Sequence, residues 1–167
     1  MNKFYYSILS CMLISTTSYG AETFKIKLVD QLDEPEFYCL DVAGWGDHLK
    51  IDDPVQVHTC KPDSPDQEFV VEGNALKMPE YNRCLTASAS GDAALPGSAL
   101  ILRECDGSKM QSFIVHSSGK IMMNSSELCV AAGAESQEAS GPSHLWRVAS
   151  LQSCEHSESK LATWMTE

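Results

Sequence analysis

An acid, an amide and an imidazole occur at alternating positions in two short segments of the chain. Cys39 and Asp41 lie two residues apart, as do Gln56, His58 and Cys60. Side chains alternate between the two faces of a β-strand, so each set shares one face. If Cys39 pairs with Cys60 across two antiparallel strands, Asp41 lies opposite His58, with about 4.5–5.5 Å between their Cβ atoms.

A carboxylate beside a planar ring suits a sugar ligand. Charge-assisted hydrogen bonds from sugar hydroxyls to Asp41 are about twice as strong as neutral ones. The His58 ring would cover the apolar C–H face of a pyranose, which the axial hydroxyl of galactose leaves clear. Trp45 follows in a glycine-containing loop and is a further candidate contact. The simpler alternative is that Asp41 is an ordinary surface residue of a strand.

A metal site and an acid–base pair are the other chemistries that these residues suggest. His58 lies between two acids, but no metal-ligand spacing accompanies it, so no metal and no other cofactor is predicted. Asp41 and Asp66 resemble a glycosidase pair in residue type only. Nothing else in the sequence matches a catalytic constellation, and the chain is therefore not predicted to be an enzyme.

Length and composition indicate a globular chain of one domain of ordinary size, or two very small ones, and exclude several partners. Its 167 residues are 43% apolar, which is enough for one packed core. Lys and Arg number 12 against 23 Asp and Glu, a formal charge of -11. This balance argues against nucleic-acid binding. Beyond residue 20, no apolar run approaches the roughly 18 residues of a membrane span, so membrane insertion is not predicted.

Residues 1–20 have the features of a secretory signal peptide. Lys3 precedes a mostly apolar run over 4–14, and small residues occupy two positions before a predicted cleavage at Ala21. The apolar run is too short for a membrane anchor. A lipoprotein signal ending at Cys11 is a weaker alternative, because the apolar stretch continues past that cysteine. The mature protein is expected to be secreted or periplasmic.

The remaining six cysteines repeat with a fixed period. The first members of three pairs are 45 residues apart, and each is followed by a second cysteine after 21, 21 and 25 residues. Six cysteines allow 15 connectivities in principle. The repeat favours one of them: Cys39–Cys60, Cys84–Cys105 and Cys129–Cys154.

Other features keep the same period and indicate short strands. Phe69, Phe113 and Trp164 follow the three cysteine pairs, and Gln67 and Gln111 precede the first two aromatics by two residues. Glycine-containing turns follow the two phenylalanine segments, as in hairpins. About twelve strands are expected in three units at about 36–78, 81–123 and 126–167, with strand 24–28 completing the third unit.

Three units of about 45 residues, each with a cysteine pair and an aromatic that a glutamine precedes in two units, resemble the ricin-type lectins. The resemblance implies one domain over 21–167 with an all-β fold, a β-trefoil. In that fold, three pseudo-symmetric repeats with one disulfide each form a closed six-stranded barrel capped by three hairpins. It also implies a carbohydrate-binding function of the galactose or N-acetylgalactosamine type. The family's sugar-binding positions fall in the first repeat on Asp41, Gln56, His58, Asp66 and Gln67.

The other two repeats lack these residues. Repeat two has Thr86, Ile101, Arg103 and Met110 at the matching places, and repeat three has Ala131, Ser150, Gln152, Leu161 and Ala162. Both are expected to be scaffold only, and the glutamines Gln67 and Gln111 are expected to bond backbone inside their units.

Two family positions carry unusual residues. His58 and Asp66 replace the commonest ones, which leaves an alternative in which the sugar site has decayed. The trefoil would then act through protein contacts, as a toxin's cell-binding subunit or an inhibitor. The neighbouring acids also predict a raised pKa for His58, and weaker sugar binding at mildly acid pH.

Overall fold

A computed structural model describes residues 22–89, 91, 93–139 and 144–167. The predicted signal peptide, its cleavage point and Cys11 lie outside the described residues. Within them the chain forms thirteen strands and one short helix, α1 (Ser159–Ala162). The strands are β1 (Phe24–Leu28), β2 (Tyr38–Asp41), β3 (Gln56–Thr59), β4 (Glu68–Glu72), β5 (Ala75–Met78), β6 (Arg83–Ala87), β7 (Leu100–Glu104), β8 (Phe113–Val115), β9 (Ile121–Met123), β10 (Leu128–Ala132), β11 (Gln137–Glu138), β12 (Leu145–Ser153) and β13 (Trp164–Thr166).

Twelve antiparallel strand pairings join the described strands, and six of them are the two-stranded units of the fold. Five are β2–β3, β4–β5, β6–β7, β8–β9 and β10–β12. The sixth joins the two ends of the described chain, because β1 pairs with β13 so that Leu28 lies opposite Trp164. Inward-facing aliphatic and aromatic side chains from all three repeats form one core. No described helix is long and apolar enough to cross a bilayer.

The three repeated aromatics lie where the repeats meet. Phe69 pairs with Phe24 of β1. The backbone N–H groups of Phe113 and Trp164 donate to the carbonyl oxygens of Asn74 and Gly119, in the turns of neighbouring hairpins, each at 2.7 Å. All three aromatics are buried. Gly119 has a φ of +83°, and a Cβ there would lie 2.8 Å from the carbonyl oxygen of Trp164, so this junction requires glycine.

Each repeat holds one disulfide, and the all-β, β-trefoil prediction is confirmed. The bonds join Cys39 to Cys60, Cys84 to Cys105 and Cys129 to Cys154. One more strand is present than the expected dozen. The two-residue β11 pairs with the start of the long strand β12, which also pairs with β3 of the first repeat, while the rest of β12 pairs with β10.

The predicted register of the first hairpin is wrong by two residues. Cys39 lies opposite His58, and Asp41 lies opposite Gln56. Cys60 lies past the end of β3, where its N–H donates to the Phe37 carbonyl at 2.9 Å, and its disulfide reaches Cys39 diagonally. A shift of two residues keeps every side chain on its original face, so the polar face itself is as expected.

Candidate functional site

A cleft of about 1180 Å³ lies between the first and third repeats. Strand β3 forms its floor, because it pairs with β2 on one side and with β12 on the other. Residues directly opposite in antiparallel strands share a face. Asp41, Gln56 and Val148 therefore form one row across three strands, and His58 and Trp146 form part of the next row.

Asp41 is fully buried at the end of β2, beneath the cleft. Its Oδ2 accepts hydrogen bonds from Lys61 Nζ at 2.8 Å and from Gln67 Nε2 at 3.0 Å. Its Oδ1 has no hydrogen-bond partner within the described part of the chain. Burial raises the pKa of Asp41 to about 6, and the Lys61 charge opposes that rise. Asp41 is thus not an ordinary surface residue of a strand.

Gln67 fixes this carboxylate from a 3-10 turn. Its Oε1 accepts from the Lys61 backbone N–H at 2.8 Å, and its Nε2 also donates to the Thr59 carbonyl at 2.9 Å. Gln111 makes the matching pair of backbone bonds in repeat two and donates to the Thr86 hydroxyl at 3.1 Å. The expectation that both glutamines bond backbone is confirmed, and Thr86 occupies the place that Asp41 holds in repeat one.

His58 is largely covered, with 8% of its surface exposed. Its Nδ1 lies 3.7 Å from Asp41 Oδ2 and 3.3 Å from the Thr59 carbonyl oxygen. The ring meets His144 edge-on, with 5.9 Å between centroids. The expected rise in the pKa of His58 is wrong: burial lowers it, and the nearby Lys61 charge lowers it further. Little of the ring face is open for a sugar to stack on.

Asp66 lines the cleft from the same 3-10 turn as Gln67. Its backbone oxygen accepts from the Val42 N–H at 3.1 Å, which ties the turn to the end of β2. Its carboxylate accepts a hydrogen bond from the Tyr81 hydroxyl. Burial and this hydrogen bond raise the pKa of Tyr81. Tyr81 occupies no motif position, and nothing in the sequence marked it.

The loop after Asp41 forms the other wall of the cleft. Trp45 is 64% exposed and meets His48 edge-on, with 5.7 Å between centroids. Two backbone hydrogen bonds shape the loop: His48 N–H donates to Trp45 at 2.9 Å, and Lys50 N–H donates to Ala43 at 2.8 Å. Gly44 has a φ of +91°, and a Cβ there would lie 2.2 Å from the His48 carbonyl oxygen. The loop therefore needs glycine at this position.

Four residues in or beside the cleft were missed or misassigned from the sequence. Lys61, expected to be solvated, is bound to the buried carboxylate. Tyr81 holds Asp66, and His144 and Trp146 enter the cleft from repeat three. The last two carry no local motif, since only the pairing of β12 with β3 brings them there.

Two further features bear on the assignment. Among the described residues there is no group of three or more His, Cys, Asp or Glu side chains placed to hold a metal ion. A smaller cleft of about 440 Å³ lies in repeat three, where Ala131 occupies the position equivalent to Asp41.

Comparison with known proteins places the fold. No family model and no curated protein matches the sequence. Among solved structures, the agglutinin from Abrus precatorius matches with a TM-score of 0.62 and 19% identity, over 92% of this chain and 50% of that one. A non-toxic homologue of type II RIPs from Momordica charantia (bitter gourd), in complex with α-methyl-D-galactoside, matches with a TM-score of 0.57 and 17% identity. The match covers 87% of this chain and 48% of that one.

A designed 3-fold symmetric protein, ThreeFoil, matches with a TM-score of 0.60 and 12% identity, over 86% of this chain and 96% of that one. The chain spans about half the length of the two plant chains. At these identities the matches establish the architecture alone, which is a β-trefoil.

Proposed function

We propose that this chain is a non-enzymatic carbohydrate-binding protein with a galactose or N-acetylgalactosamine type site in the first repeat. The observation that carries the proposal is the buried carboxylate of Asp41. One of its oxygens has no partner among the described residues, although a buried polar atom normally has one. A sugar hydroxyl supplies that missing hydrogen bond.

Access to Asp41 depends on Lys61, which covers the carboxylate with a long side chain that is 27% exposed. In the proposed complex one sugar hydroxyl takes the position of Lys61 Nζ on Oδ2, and a second hydroxyl reaches Oδ1. Gln67 keeps its own bond to Oδ2 and holds the carboxylate in place.

The remaining candidates surround this anchor. Gln56 and Asp66 offer polar atoms at the cleft surface. Trp45, rather than the buried His58, supplies the ring for the C–H face of the sugar, and His58 supports the carboxylate from below. The galactoside bound to the bitter gourd homologue supports this sugar type for a chain of the same fold.

Titration calorimetry with methyl α-galactoside tests the proposal. We expect a dissociation constant of roughly 0.1–1 mM for one shallow interaction of this kind. Asp41→Asn should weaken binding about tenfold to hundredfold, since a hydrogen bond to a charged group contributes about 1.5–3 kcal/mol. Thr86→Ala is the matched control in repeat two and should bind like wild type. Equal behaviour of the two variants would place the site elsewhere.

Protein recognition by a trefoil whose sugar site has decayed is the second candidate. The Lys61–Asp41 ion pair favours it, because that contact closes the carboxylate to solvent. A glycan array separates the two functions. Binding to galactose-terminated glycans supports the lectin, and a blank array with wild-type protein supports protein recognition.

Three disulfides indicate that the folded chain resides in an oxidising compartment. We propose that residues 1–20 direct export, to the periplasm or to the outside of the cell. N-terminal sequencing of the exported protein should begin at Ala21, and a start at residue 1 would contradict the proposed export signal.

A further inference from the structure

We infer that the cleft binds an uncharged oligosaccharide, with its terminal sugar over the first repeat and the following sugar against Trp146 and Val148 of the third. This inference deepens the proposed function and rests on it. It concerns a surface that two repeats build together.

The size of the cleft is the first argument. It measures about 1180 Å³, against about 440 Å³ for the cleft of repeat three. Pockets that enclose a drug-sized ligand usually measure about 300–1,000 Å³. A single sugar held at Asp41 would leave most of the larger cleft unfilled.

Strand pairing is the second argument. Trp146 lies directly opposite His58, and Val148 lies directly opposite Gln56. Neighbouring strands are about 4.8 Å apart, so the row from Asp41 to Val148 spans about 10 Å across the sheet. A ligand that reaches the buried carboxylate and follows this row passes from repeat one onto repeat three.

The chemistry of the extension is the third argument. Val148 is 52% exposed, although it lies in the middle of a strand, and Trp45 is 64% exposed on the opposite wall. The exposed Pro54 adds apolar surface to the lining, and His144 supplies a polar group. An oligosaccharide offers apolar C–H faces and hydroxyl edges in alternation, which matches apolar walls with polar groups at their margin.

Charge selects among oligosaccharides. The cleft lining carries two lysines, Lys50 and Lys61, and two aspartates, Asp53 and Asp66, and the buried Asp41 carboxylate bound to Lys61 adds a third negative charge. The whole chain carries a formal charge of -11 and repels anions. A sialylated or sulfated glycan would meet a cleft in which the carboxylates outnumber the lysines, whereas a neutral glycan has no charge to desolvate.

The test compares methyl α-galactoside with a linear, uncharged galactose-terminated trisaccharide and with a counterpart sialylated on the sugar farthest from the terminal galactose, which stays free. We expect wild type to bind the uncharged trisaccharide about tenfold more tightly than the monosaccharide, and the sialylated one less tightly than the uncharged one. Trp146→Ala and Val148→Arg should each remove the trisaccharide gain and leave methyl α-galactoside affinity within about twofold of wild type. Val71→Arg is the matched control, since Val71 is 51% exposed on β4 and does not line the cleft.

The outcomes separate this inference from the proposed function. Monosaccharide binding without a trisaccharide gain, or a gain that survives both cleft variants, overturns the extended site and leaves the lectin standing. Loss of the gain in Val71→Arg as well shows a general effect of the substitution and also overturns it. Failure of wild type to bind any of the three sugars overturns the proposed function and the extended site together.

Discussion

Burial of Asp41 should make the stability of this protein fall as pH rises from 4 to 7, and Asp41→Asn should remove that fall. The pKa of Asp41 is about 6 in the folded protein against an ordinary value of 3.8. Between these values the folded state holds a proton that the unfolded state has released. Raising the pH through this window therefore favours unfolding.

The size of the effect follows from the two pKa values. A tenfold change in proton affinity corresponds to about 1.4 kcal/mol, so the difference between about 6 and 3.8 amounts to about 3 kcal/mol. The destabilisation is absent below pH 4 and complete above pH 6. For a domain of this length, about 3 kcal/mol corresponds to a change of about 6–12 °C in the melting temperature.

The measurement is thermal or urea unfolding of wild type and Asp41→Asn at steps of half a pH unit from 4 to 7, with the disulfides intact. Taking the difference between the two proteins cancels the titration of the other acids. Asp41→Asn should gain about 3 kcal/mol relative to wild type between pH 4 and pH 7. The same variant is expected to lose sugar binding, which would separate loss of the site from loss of the fold.

Asp52→Asn is the control with the opposite sign. Asp52 is exposed and accepts a hydrogen bond from Arg83 at 2.6 Å, which lowers its pKa. The free energy of unfolding of Asp52→Asn should therefore differ little from that of wild type between pH 4 and 7, and it should not show the gain of Asp41→Asn. A difference between wild type and Asp41→Asn that stays flat from pH 4 to 7 would refute the reasoning from burial. A reversed slope would show that Lys61 outweighs desolvation.

Three further outcomes are expected. Galactoside affinity, measured by calorimetry, should fall about tenfold per pH unit below about pH 6, where Asp41 is protonated. His58→Trp should show the same fall. If that variant loses the pH dependence, the titrating group is the imidazole of His58 and not Asp41. Gly44→Ala should cost about 1–3 kcal/mol in the free energy of unfolding and weaken binding, because its Cβ meets His48; an unchanged melting curve would contradict the strained turn. Gln111→Ala should destabilise the protein by about 2–3 kcal/mol in urea and leave galactoside affinity unchanged, and a binding defect would give repeat two a role in the site.

The fold was predictable because its determinants recur along the chain. The cysteine period pairs each disulfide within a repeat, and Phe69, Phe113 and Trp164 mark the three junctions of the barrel. Strand alternation also placed Asp41 and His58 on the correct face. Periodicity does not set which residues lie opposite each other, so treating Cys39 and Cys60 as directly opposed gave a register wrong by two residues.

The candidate site was only half predictable, for a physical reason. Burial depends on the whole fold, and no motif indicated that Asp41 would be fully covered or that Lys61 would turn inward to it. The direction of the His58 pKa was wrong for the same reason, since desolvation exceeded the effect of the nearby acids. Trp146 lies far from repeat one in sequence and enters only through strand pairing.

The pairing of β1 with β13 governs the order in which this protein can fold. The Lys25 N–H donates to Glu167 at 2.8 Å, and Lys27 forms a 2.9 Å ion pair with the Glu167 side chain. During synthesis β1 therefore waits for β13, which follows it by more than 130 residues. Contacts between residues so far apart along the chain slow folding. The barrel closes only once β13 is available, and a variant with β13 linked to β1 and the chain opened in a surface turn would preserve every described strand.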